Sequence, residues 1–151
     1  MHETRPLFQQ EMTYAPPTWL AIDADTYKRM LNRRSVAITK RDRKRGGTYQ
    51  VREAMDAVHA AFHRCDGTDP YDGFPLDGGL LATDDNAAAK TDRISEEKRY
   101  SRVPTVDHLD GEPVAQFEIV SRQTSVVKNE MTPDEYIAHC RAVVAHADKT
   151  I

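Results

Sequence analysis

Asp107 and His108 set an acid beside an imidazole at the end of a short β-prone run that carries Val103, Thr105 and Val106. A carboxylate is a hard oxygen ligand for a divalent cation, and a histidine, with an ordinary pKa near ~6.5, can take a proton from an attacking water. With cationic side chains to hold a nucleic-acid backbone, these groups meet the chemical needs of metal-assisted phosphodiester hydrolysis. Adjacent strand side chains point to opposite faces, so both residues serve one site only if the strand ends or bends there. The turn over 109–113, with Gly111 and Pro113, predicts such an end.

The elements that must hold this pair follow from periodicity. A second β-prone segment spans 116–121 and the chain turns helical over 124–128, giving strand, turn, strand, short helix. Thr132, Pro133 and Glu135 form a T-x-x-E capping box with proline at the first helical position. Tyr136, Ile137, Cys140, Val143, Val144 and Ala147 then share one apolar face, and both Cys140 and Cys65 are expected to be buried thiols. Upstream, Val51, Met55, Val58 and Phe62 predict a helix over 48–63. Tyr27, Met30, Leu31 and Ile38 predict an earlier one, capped by Asp25, starting near Thr26 and ended by Gly46 and Gly47.

Between these helices and the hairpin the chain is irregular. Asp66, Asp69, Asp72 and Asp77 lie among glycines and prolines at spacings that do not match a calcium loop, and are read as turn-forming carboxylates. A short helix is expected over 84–89, and the charged stretch 90–102 is expected to be exposed.

The segments PTVDH and QFEIVSRQTSVVK resemble the HNH (His-Me finger, ββα-metal) endonucleases over the last third of the chain. KNEMTPDEYIAHC and, upstream, DPYDGFPLD resemble a phage and bacterial subgroup of that family. The resemblance implies that Asp107 binds the metal and His108 is the general base. It implies that Gln116, where the family has its middle Asn, orients the loop bearing the histidine. Ser125 falls where the family has its second metal ligand, an Asn or His, and Lys128 is the lysine three residues on. Ser125 is a weak substitute, for which Asn129, Glu130 or Glu118 could stand in. The implied cofactor is Mg²⁺, with Mn²⁺ an alternative. No structural zinc is expected, because His59 and His63 lack a glutamate at the zincin position.

The fold expected is therefore α+β, a mostly helical domain around a small HNH-like ββα unit. It comprises an arm (1–24), a helical region (25–66), a connecting region (67–102) and the ββα unit with its last helix (103–151). The net charge of −3 hides a strongly basic stretch over 28–45, where Arg33, Arg34, Lys40, Arg41, Arg43, Lys44 and Arg45, together with Lys128 further along, are candidates for phosphate contact. The expected partner is DNA. No apolar run is long enough to span a bilayer and the N-terminus lacks an apolar signal core, so a cytoplasmic location is expected. Two functions remain open: a metal-dependent endonuclease, or a catalytically inactive HNH-like module that binds nucleic acid or protein.

Overall fold

Asp23 starts the first helix by accepting from the Thr26 amide at 2.8 Å, and α1 runs Ala24–Arg43. The cap expected at Asp25 lies two residues earlier because Asp23 has the extended backbone a cap requires, whereas Asp25 is already in the first turn. The computed structural model describes residues 14–82 and 99–150. The short helix expected over 84–89 lies outside them, as do 1–13 of the arm. Helix α2 covers Val51–Arg64, starting later than expected because Gln50 is still extended.

Tyr27, Met30 and Leu31 of α1 pack with Ala54, Val58 and Phe62 of α2, all nearly or fully buried. The larger of these, Met30, Leu31, Val58 and Phe62, each contribute about 1.5–3 kcal/mol by leaving water. Tyr27 meets Phe62 edge-on, and its hydroxyl is hydrogen-bonded to His59 Nδ1 at 2.7 Å. Leu20, in a 3-10 turn at Thr18–Leu20, is fully buried, and Trp19 donates from its indole to the Phe62 carbonyl. At the other end of the charged stretch Tyr100 is buried, against the exposure expected there.

Strands β1 (Pro104–His108) and β2 (Phe117–Ser121) form a two-stranded antiparallel sheet, with Asp107 opposite Glu118 and His108 opposite Phe117. Helix α2 lies against β2. Ser121 ends β2 and caps α3 (Arg122–Lys128), which packs back on both strands. Gly111, with φ 75°, lets the hairpin turn approach the Glu130 carbonyl so closely that any side chain would collide. Thr132 then caps α4 (Pro133–Lys149) through the full capping box.

The described residues thus make an α+β fold, mostly helical, around one small sheet. At its edge the expected burial of the two thiols fails. None of the apolar side chains of α4 is buried, and Cys65 and Cys140 are free thiols only half-buried.

Candidate functional site

β1 ends at His108, so the two residues at its tip diverge and yet line one cleft. Asp107 shares a face with Glu118, while His108 shares the opposite face with Phe117. At the open end of the strand Asp107 and His108 border a cleft of about 160 Å³ with Arg41, Arg45, Val106, Ser125, Asn129 and Glu130.

On the first face sits Lys128, a candidate phosphate contact that is instead fully buried at the last turn of α3. Its Nζ donates to Asp107 Oδ2 at 3.1 Å and to the His108 carbonyl at 3.2 Å, and lies 3.8 Å from Glu118 Oε1. Glu118 Oε1 also accepts from the Tyr71 hydroxyl at 2.5 Å. Burial pushes the Asp107 carboxyl above its ordinary value, against the pull of the Lys128 ammonium. Burial raises Glu118 as well, opposed by the Tyr71 hydrogen bond and by Lys128. One buried Lys128 side chain thus lies against two carboxyl groups whose burial favours their protonated forms.

On the second face His108 Nε2 meets Asp42 Oδ2 at 2.6 Å. The same oxygen accepts from the Tyr49 hydroxyl at 2.5 Å, and Asp42 is fully buried in α1. A carboxylate can only accept, so Nε2 carries a proton, and in a neutral ring Nδ1 is then the acceptor. Asp42 Oδ1 lies 3.7 Å from Arg45, whose guanidinium also donates to the Gly111 carbonyl at 2.7 Å. The hairpin turn is therefore held by Arg45. Gln116, expected to brace it, is exposed and does so only through its main chain, accepting from the Leu109 amide at 3.0 Å.

The Asp-rich loop supports the site from below. Asp69 is fully buried and accepts from the amides of Tyr71, Asp72 and Ser121 at 2.7, 3.0 and 2.8 Å. Burial works to raise its carboxyl, but these amide bonds outweigh it and hold the value below the ordinary one. The loop is thereby fixed to the end of β2, which places Tyr71 over Glu118. Arg102 clamps the other side through Asp72 at 2.7 Å.

Ser125 and Asn129 reach the cleft from successive turns of α3, Asn129 at φ 50° where the helix ends. A divalent cation placed there would meet Asp107, already paired with Lys128, a neutral hydroxyl and an amide. Glu130 at the rim lies 3.7 Å from Arg45, His108 is tied to Asp42, and the cation would face Arg41 and Arg45. A hard dication takes about six or more oxygens, with carboxylates supplying the charge. The donor set Asp107, Ser125 and Asn129 does not fit one. Among the described residues no group of three His, Cys, Asp or Glu side chains is placed to hold a metal.

Of the basic candidates, Arg41 and Arg45 border the cleft, and Arg33 and Arg34 line a neighbouring depression of about 190 Å³ with Arg41, Ala37, Ile38 and Val106. Arg43 donates to the Gln50 side chain, and Lys40 and Lys44 are exposed on the outer side. Asp42, Tyr49 and Tyr71 were not found from sequence. The i, i+4 relation of Ile38 and Asp42 was the available sign, because it puts an acid on the inward face of a basic helix. Among the described residues no helix is long and apolar enough to cross a membrane. Comparisons with protein-family models, curated proteins and solved structures found no match.

Proposed function

We propose that this chain is an HNH-like ββα module that grips a nucleic-acid backbone, most plainly DNA, along α1 and the Asp107–His108 cleft, using side chains rather than a divalent cation. One contiguity carries the proposal: Arg41 and Val106 border both the arginine-lined depression and the cleft, so cationic surface continues from α1 to the tip of the hairpin. Backbone phosphates are held by such surfaces through charge, with release of counterions. Fluorescence anisotropy on a labelled duplex tests it. Affinity should fall steeply with salt, be unchanged by EDTA, and weaken in Arg41→Glu and Arg33→Glu. Absence of binding at low salt, or binding that requires Mg²⁺, overturns the proposal.

The His108–Asp42 bond favours a second reading, phosphodiester hydrolysis in the same cleft. An imidazole whose Nε2 is fixed by a carboxylate presents Nδ1 as a base of defined orientation. Arg41 and Arg45 are then the charges nearest a developing phosphorane. Nicking of supercoiled plasmid in Mg²⁺, Mn²⁺ or EDTA, lost in His108→Ala, supports hydrolysis. No nicking in any condition leaves the binding module.

A further inference from the structure

Helix α4 carries seventeen residues and an apolar stripe, yet none of its side chains is buried. A helix of this length is marginal in water unless packing covers an apolar face. Its root leans on the body: Tyr136 sits edge-on to Tyr71, with ring centroids 5.2 Å apart, and Ile137 and Cys140 are half-buried. From Arg141 to Thr150 every side chain is exposed, including Val143 at 55% and Val144 at 58%.

Beside that root lies an empty seat. A depression of about 490 Å³ is lined by Phe74, Pro75, Val127 and Tyr136, with Asp72 and Arg102 at its polar side. Phe74 is 65% exposed and Val127 52%, and the two border the same depression. The same chain thus presents a protruding apolar half-helix and an apolar seat beside the root of that helix. A straight helix cannot fold its second half back onto its own root, but a second copy can supply one.

We propose that two copies of this chain pair antiparallel through α4, each helix laying its second half into the partner's depression. The contact is isologous, so one complementary pair of surfaces is used twice and the assembly closes at two. Charge selects the direction. The first turn of α4 holds Asp134 and Glu135 and the last holds His146, Asp148 and Lys149. Antiparallel pairing keeps the two acidic first turns apart, sets Asp134 opposite Lys149 with Glu135 facing Asp148, and opposes the two helix dipoles favourably. A two-fold axis between Arg141 and Ala142 brings Ala147 of one copy opposite Tyr136 of the other, and Val143 opposite Cys140. Small side chains then meet large ones along the seam, the alternation that lets facing helices interdigitate.

Size-exclusion chromatography with light scattering on the full chain tests this pairing. The wild type should run at twice the mass of one chain and dissociate on dilution. Val144→Asp on the helix and Phe74→Asp on the seat should each weaken association by at least about tenfold. Both should keep the wild-type circular dichroism and a cooperative thermal transition. Should either fail to fold, Val144→Ser and Phe74→Ser replace them, because both sites are exposed and a hydroxyl is tolerated there. A wild type that stays monomeric at every concentration reached overturns the proposal, and so does a dimer that survives substitution of the seat.

Discussion

Asp42 and His108, 66 residues apart in sequence, meet at 2.6 Å and join the basic helix to the tip of the hairpin. The joint explains how the cationic surface reaches the cleft. Asp42 and Ile38 face inward one turn apart, which turns Arg34 and Arg41, seven residues apart on a neighbouring stripe, toward Val106. One buried acid on the inward face of α1 therefore fixes the imidazole at the tip of the hairpin.

Replacing that acid should cost more than the loss of one hydrogen bond. Asp42→Ala leaves both the Tyr49 hydroxyl and the His108 Nε2–H without their acceptor, at about 1–3 kcal/mol for each buried group so stranded. Urea unfolding should show at least about 2 kcal/mol of destabilisation. Long-range ¹⁵N–¹H spectra give the sharper readout. The wild type should hold His108 as the Nε2–H tautomer, with that preference lost in Asp42→Ala. A wild-type ring protonated on Nδ1 and not on Nε2 removes Asp42 from its positioning role.

Lys128 should show a pH signature. Burial lifts the folded-state values of Asp107 and Glu118 above those of the unfolded chain. Groups raised in this way favour folding in their protonated form, so their contribution is full below the unfolded value and is lost as pH rises through the folded one. Lys128→Met removes the only charge within 4 Å that offsets them among the described residues and raises both further. Near neutral pH the variant should lose about 3–5 kcal/mol, the usual consequence of breaking a buried pair from one side. On acidification toward the ordinary carboxyl range near ~4, the gap to wild type should narrow as both acids take up protons. Denaturant midpoints across that range decide it, and a gap of constant width rules the account out.

Much of this frame was legible in the sequence, because it rests on local signals. The Thr132–Glu135 box, the Val51–Phe62 stripe and the turn at Gly111 specify their elements from within a few residues. The site was legible only by half. Asp107, His108, Ser125, Asn129, Arg41 and Arg45 do share a cleft, but the partners that decide their chemistry are distant in sequence. Asp42 was hidden among arginines as if it were a solvated counter-charge, and Tyr71 in a loop chosen for its turn residues. Helix α4 illustrates the opposite limit. Its apolar stripe was plain, but periodicity shows which face is apolar and not what covers it.

Asp69 should dominate the acid limb of stability. Its carboxyl is held below its ordinary value, so it contributes stability that is present above the unfolded value and lost as pH falls through the folded one. Asp69→Asn keeps the shape but points an amide N–H₂ at backbone donors. It should lose at least about 2–3 kcal/mol at neutral pH, and its acid unfolding should be shallower than that of the wild type because this titration is absent. An acid transition as steep as wild type in Asp69→Asn assigns the acid sensitivity elsewhere.

Ser125 gives the most direct test of what the cleft can bind. In the wild type the nearest carboxylate is tied to Lys128, and the position one turn before that lysine offers only a hydroxyl, so Mn²⁺ should leave the melting temperature unchanged. Ser125→His places an imidazole there, facing the same cleft as Asp107. Mn²⁺ at about 100 times its dissociation constant would then add about 2.7 kcal/mol. For a chain of this size that is a rise of several degrees, on the order of 2–4 °C per kcal/mol. Plasmid nicking gained by the same variant would show that His108 and its support from Asp42 are competent and that the missing ligand is what keeps the site silent. A wild type whose melting temperature already rises with Mn²⁺, with the rise lost in Asp107→Asn, would instead mean that the cation displaces Lys128 from its carboxylate and that the cleft is a metal site after all.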